Sequence, residues 1–171
     1  MTKVPFQDFD RLVAYVMAAH QMCPRKPENA FRKFDGVTPY AVHPLWCATM
    51  AAAEPLLPPE TRDLDAQVLL LHDVTEDTLA PFPTWVSDEV RAAHADMVFE
   101  SRAAEMARIW VRTPGTRRRK LFDKASNYLT LLGTLNPDYD KYVLRLADTV
   151  EKDAGSRLNI VKIIRALVLV R

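Results

Sequence analysis

Leu69-Leu70-Leu71-His72-Asp73-Val74-Thr75-Glu76-Asp77-Thr78 runs three leucines into a His-Asp pair and sets a Glu-Asp pair one helical turn later. An α-helix advances about 100° per residue; with His72 at zero, Asp73 stands at about 100°, Glu76 at about 40° and Asp77 at about 140°. The four ionisable side chains share one arc, while Val68, Leu69 and Leu71 can anchor the same helix in a core. Burying four such groups together is costly unless a cation or a substrate satisfies them. The stretch therefore reads as a helix that carries a site. The competing reading is a capped helix end with solvated acids beyond it.

Working outward, the 171 residues suit one domain with a sizeable core. Hydrophobic residues make up 49% and charged residues 26%, ordinary for a globular protein. Lys and Arg number 23 against 22 Asp and Glu, so no charge excess points to nucleic acid or a membrane surface. Cys23 and Cys47 form neither a disulfide framework nor a C-x-x-C site, and a reducing, cytoplasmic setting is the default expectation. Polar residues from Gln7 to Arg11 interrupt any signal-peptide core. The longest nearly apolar run, Ala166 to Val170, is too short to span a bilayer. Four glycines against twelve prolines point to helices punctuated by proline.

Apolar spacing predicts helices over 8–21, with Asp8 as N-cap, and over 45–54, 59–78 and 121–135. Residues 85–111 read as two helices meeting near 99–101, with no catalytic spacing; His94 and Asp96 read as surface groups. Further helices are expected over 138–153 and 157–171, the last closing the core, with Ala166 to Val170 alternatively a strand or a homo-oligomer contact. His20, near the end of the first helix, reads as a core or cap histidine or as a functional one. The loop from Cys23 to Pro39 carries Arg25, Lys26, Arg32 and Lys33, suited to phosphate. Pro44 can open a helix and so holds His43 at its mouth. Arg117 to Lys120 follow Thr116, a fair N-cap, and form either an anion seat or a solvated basic turn. Lys141, Arg145, Asp148 and Lys152 make one narrow helical stripe, and Asp148 amid bulky apolar residues favours a metal ligand flanked by phosphate binders over plain salt-bridging.

Two histidines, an adjacent aspartate and a distant aspartate make a mixed nitrogen and oxygen ligand set. Without a cysteine it argues against structural zinc and suits Mn²⁺, Fe²⁺ or Co²⁺. Such an ion acidifies bound water and polarises a phosphoryl oxygen. Glu76 and Asp77 could orient that water or shuttle protons.

The pattern His43…His72-Asp73…Asp148 resembles the HD superfamily of metal-dependent phosphohydrolases, and most the hydrolase domain of RelA/SpoT proteins and the small alarmone hydrolases. An Arg-Lys pair precedes a Gly-x-x-Pro-Tyr-x-x-His-Pro segment, here Arg32-Lys33, nearer the segment, or Arg25-Lys26, which follows His20-Gln21, and Gly36 to Pro44. Leu-Leu-His-Asp-x-x-Glu-Asp-Thr is matched by Leu70 to Thr78, and Leu-Ala-Asp by Leu146-Ala147-Asp148. The resemblance spans about residues 15–152. It implies a single-domain, all-α bundle that binds one metal, usually Mn²⁺, through His43, His72, Asp73 and Asp148. It makes Glu76 and Asp77 the catalytic acidic pair. It implies removal of the 3′-pyrophosphate from (p)ppGpp, with Arg32, Lys33, Arg25, Lys26, Arg145 and Lys152 as substrate-binding candidates. The family's Leu-Ala-Asp-x-x-x-Asn has an amide where Lys152 stands, and lysine has no acceptor to copy it. Three readings follow: an alarmone pyrophosphohydrolase, an HD phosphohydrolase for another nucleotide such as a deoxynucleotide mono- or triphosphate, and a non-enzymatic nucleotide-binding module.

Overall fold

The computed structural model describes residues 6–130 and 136–170, with side chains from residue 9 onward. The expectations for residues 131–135 as a helix end and for Arg171 lie outside the described residues, whereas Asp8 falls within α1, which begins at Phe6, and so is not its N-cap. The described residues form helices α1 (Phe6–Met22), α2 (Val42–Ala52), α3 (Pro59–Leu71), α4 (Val74–Asp77), α5 (Asp88–Ala95), α6 (Arg102–Arg108), α7 (Pro114–Thr130), α8 (Pro137–Ala154) and α9 (Asn159–Leu169). They contain no strand, only the isolated bridges of Pro24 with Thr78 and of Phe31 with Pro39. The fold is all-α.

Proline explains much of the punctuation. It opens α3, α7 and α8, where its missing N–H falls among the donors that a helix's first turn leaves unused. Side chains complete other starts: Ser87, Ser101 and Asn136 accept from the backbone N–H three residues on. Thr113, rather than Thr116, caps α7, its hydroxyl accepting from Thr116 N at 3.2 Å. The region 85–111 divides as expected, into α5, α6 and a 3₁₀ turn at Ile109–Val111. The tail is helical to Leu169, so the strand alternative for 166–170 is not adopted.

One core runs through the described residues, and α7 is central to it, packing on α2, α3, α8 and α9. Leu121, Phe122, Ala125 and Tyr128 of α7 are fully buried, as are Leu69, Leu70 and Leu71 at the end of α3. Each buried leucine contributes about 1.5–3 kcal/mol through lost contact with water.

The expected helix over 59–78 breaks in two. α3 ends at Leu71 and α4 restarts at Val74. Asp73 has φ −99° and ψ −5°, the bridge region in which the hydrogen-bond ladder lapses. In a continuous helix the Leu69 carbonyl would accept from Asp73 N–H. Here His72 Nδ1 lies 2.6 Å from it, so the histidine ring takes over that acceptor.

Candidate metal centre

Three elements converge on one point. His43 comes from the first turn of α2, His72 from the end of α3, and Asp123 from the middle of α7. All three are buried, and one ligand atom from each lies within 4.8 Å of the others. The two Nε2 atoms are 3.2 Å apart. Asp73 Oδ2 stands 3.2 Å from His72 Nε2 and 3.4 Å from His43 Nε2. Asp123 Oδ1 stands 3.4 Å from His43 Nε2 and 3.9 Å from His72 Nε2.

Tautomers follow from the surroundings. A carbonyl only accepts, so His72 Nδ1–H donates to Leu69 O and leaves Nε2 bare. His43 Nδ1 lies 2.8 Å from Ser126 Oγ, and donation there bares its Nε2 as well. Two lone pairs then face each other between two carboxylates, an arrangement that repels without a cation. Ligand atoms bonded at about 2.1 Å at tetrahedral or octahedral angles sit roughly 3.0–3.4 Å apart, which matches most of these spacings. The donor set fits a divalent transition metal, with nitrogen and oxygen ligands and orienting bonds behind both rings.

Charge states agree with that geometry. Burial pushes His43 down, only partly offset by Asp123 and Asp73, so the ring stays neutral. Burial would raise Asp123, but Lys124, the adjoining His43 ring and Lys120 override it and hold the carboxyl well below the usual range. Burial likewise opposes ionisation of Asp73, and His72 and His43 outweigh it. The Tyr40 hydroxyl donates to Asp73 Oδ2 at 2.9 Å; burial first, then Asp73 and Asp77, keep that phenol protonated. Glu76, exposed at the mouth, is pushed up to about 7 by lost hydration and by the nearby Asp73 charge. Asp77 is raised for the same two reasons and accepts from Asn29 Nδ2 at 3.2 Å.

Asp148 is not part of this cluster. It lies on the outer side of α8, 61% exposed, and accepts from Arg165 Nη2 at 2.6 Å. The stripe of Lys141, Arg145, Asp148 and Lys152 faces solvent because Tyr142, Val143, Leu146, Ala147 and Val150 turn the other side of α8 into the core. Arg145 stacks over Trp110 at 4.0 Å, and Lys152 is exposed; neither reaches the cluster. The acid brought to the histidines is Asp123, in Leu121-Phe122-Asp123-Lys124-Ala125-Ser126-Asn127. Asn127 stands four residues after it and donates to Asp123 Oδ1 at 2.8 Å. The Asp-x-x-x-Asn spacing was the available signal; Phe122, where the pattern has alanine, concealed it.

The loop cations divide. Arg32 is buried and donates to Asn127 Oδ1 at 3.1 Å and Thr130 Oγ1 at 2.6 Å, its guanidinium over the Tyr40 ring. Arg25 instead donates to the backbone carbonyls of Thr75, Glu76 and Thr78 and so fastens the loop to α4. Lys26 and Lys33 are exposed. Residues 117–120 form no open anion seat: Arg117 pairs with Asp153, Arg118 and Arg119 with Asp65, and Lys120 with Glu105. His20 is buried against Tyr40, ring centroids 5.0 Å apart, and both its nitrogens lack a hydrogen-bond partner. His94 is buried against Phe82 rather than on the surface, and Asp96 accepts from Thr113 and Thr116. A cavity of about 270 Å³ opens beside the cluster, walled by His43, Asp73, Glu76, Arg102, Asp123 and Asn127 among others.

No protein-family model matches the chain, and no curated protein matches it in sequence. Among solved structures it is similar to a metazoan ortholog of SpoT described as hydrolysing ppGpp and playing a role in starvation responses. That likeness has a TM-score of 0.67 at 19% identity and covers 99% of this chain and 98% of the other. It establishes the fold the two share.

Proposed function

We propose that this chain is a divalent-metal-dependent phosphohydrolase of nucleotides, and that its reaction is release of the 3′-pyrophosphate of (p)ppGpp. The observation that carries the reading is the pair of bare imidazole nitrogens 3.2 Å apart between the carboxylates of Asp73 and Asp123, opening onto a cavity of about 270 Å³. The fold shared with a ppGpp-hydrolysing neighbour supports it. No helix among the described residues is long and apolar enough to cross a membrane.

His43, His72, Asp73 and Asp123 would hold Mn²⁺ or a similar ion, which supplies a water of lowered pKa and polarises the phosphoryl oxygen. The chain's own residues do the rest. Tyr40 donates to Asp73 and keeps that carboxylate turned toward the rings. Glu76, with a pKa near neutrality at the pocket mouth, accepts the proton of the attacking water and returns it to the leaving oxygen. Asp77, tied to Asn29, holds the cationic loop over the site so that Lys33 meets the incoming phosphates; Arg102 meets them from the opposite wall. Arg32, bonded to Asn127 and Thr130, braces Asn127 in the cavity wall. Lys152 no longer argues for another nucleotide, since Asn127 stands at the amide spacing from Asp123.

The test is a nucleotide panel read by chromatography with Mn²⁺-loaded protein and an Asp73→Asn control. Pyrophosphate release from ppGpp, abolished in the control, is expected. Turnover confined to other nucleotides would replace the substrate and keep the chemistry; no turnover at all would end the enzymatic reading.

A further inference from the structure

α6 supplies one carboxylate that the reaction outlined above does not use. Glu105 is 5% exposed. Its Oε1 lies 2.8 Å from Lys124 Nζ and accepts the Tyr142 hydroxyl at 2.7 Å. Its Oε2 takes Lys124 at 3.0 Å and Lys120 at 3.3 Å. Both ammonium groups also face the metal centre. Lys124 donates to Asp123 Oδ2 at 2.9 Å, and Lys120 stands 3.8 Å from the same oxygen. Asp123 Oδ1 is the atom that looks toward the imidazoles. Two lysines thus lie between two buried carboxylates on different helices, and only one of those carboxylates touches the histidines.

The charge balance makes the arrangement consequential. Asp73 and Asp123 beside the rings are opposed by Lys120 and Lys124 behind them, which weakens the centre's attraction for a dication. In a partly desolvated site such an imbalance is screened less than it would be in bulk water. Glu105 adds negative charge that offsets these two lysines, and it meets them on the Oδ2 side of Asp123. It also shares the Lys124 protons, so that Asp123 is oriented by Lys124 without being neutralised by it.

We infer that Glu105 is a positioning residue of the metal centre, sharing Lys120 and Lys124 with Asp123 and keeping the field there attractive to a divalent cation. This rests on the metal centre proposed above. Sequence spacing could not show it, because Glu105 belongs to a helix with no ligand pattern of its own and reaches the site only through the lysines of α7.

The experiment is a Mn²⁺ titration by isothermal calorimetry on four full-length proteins: wild type, Glu105→Gln, Lys120→Gln and the double variant. Glutamine keeps the shape of Glu105 and can still accept from Tyr142. Glu105→Gln is expected to weaken Mn²⁺ binding by about 10–100-fold, the range seen when groups behind metal ligands are altered. Lys120→Gln alone is expected to tighten binding severalfold, and the double variant to return toward wild type, since the net charge around Asp123 is then restored. Mn²⁺ affinity of Glu105→Gln within twofold of wild type overturns the inference. So does weakened binding that Lys120→Gln fails to restore, which would mark Glu105 as a packing residue; thermal melts of the same proteins register that loss separately. A wild-type chain that takes up no Mn²⁺ overturns the metal centre itself and this inference with it.

Discussion

Asp123 and Asp148 each follow two apolar residues on a helix, and replacing each by asparagine separates the site drawn here from the alternative. In Asp123→Asn the side chain keeps its volume and loses its charge. The carboxylate is 5% exposed, lies 3.4 Å from His43 Nε2, and carries Lys124 at 2.9 Å and Asn127 at 2.8 Å. Losing an orienting group behind a ligand costs about 10–100-fold in metal affinity, so losing a ligand carboxylate costs about 100-fold or more, which is roughly 2.7 kcal/mol. Breaking a buried ion pair costs about 3–5 kcal/mol of stability when one charge is left alone. Here the cost falls below that, because Glu105 still holds Lys124 at 2.8 Å. Asp148→Asn removes one exposed contact with Arg165, which keeps Glu151 at 2.6 Å. Exposed pairs contribute about 0–1 kcal/mol, so stability, Mn²⁺ affinity and turnover should all stay near wild type. Calorimetric Mn²⁺ titration, a urea melt and the nucleotide panel give the three readouts. Loss of metal binding and turnover in Asp148→Asn, with both retained in Asp123→Asn, would refute the assignment of α7 to the centre.

Three further outcomes are expected. His94 is pushed down to about 4 from 6.5, by burial first and then by His72. The unfolded chain therefore binds the proton first, so the stability held above pH 6.5 is lost as pH falls toward 4, by roughly 3 kcal/mol in all; urea melts at pH 7 and 4.5 should show a shallower acid loss in His94→Leu, and identical slopes would contradict this. Glu54 is buried and accepts from Asn159 N at 2.7 Å, capping α9 from the far end of α2, so Glu54→Ala should lower stability by about 1–2 kcal/mol and leave Mn²⁺ affinity unchanged. Tyr40→Phe keeps the ring and deletes the hydroxyl's bonds to Asp73 and Asp77, and should weaken Mn²⁺ binding by about tenfold with the melting temperature nearly constant; an unaltered titration would remove Tyr40 from the orienting set.

Much of this protein was written in short-range spacing. The apolar periodicities foretold helices at nearly all the places where they form, and proline at first helical positions explains where α3, α7 and α8 begin. His43, His72 and Asp73 were legible because a proline-led helix start and a His-Asp pair after buried leucines are local features. The break after Leu71 was not, since it depends on a ring nitrogen capturing a carbonyl rather than on helix propensity. Nor was the burial of His94, or the pairing of Arg118 and Arg119 with Asp65, which join segments far apart in the chain.

Helical periodicity and local motifs were enough to read an all-α chain and to single out two imidazoles with an adjacent carboxylate. Which distant acid stands beside them depends on how the helices pack. Leu121-Phe122-Asp123 and Leu146-Ala147-Asp148 look alike one helix at a time. α7, packed on α2, α3, α8 and α9, can bury a charged face because neighbours supply counter-charges and hydrogen bonds for it. α8 sends its apolar side inward and leaves its charged stripe to water, where charge is most cheaply kept. Asp123 is in the centre for that reason, and Asp148 is not.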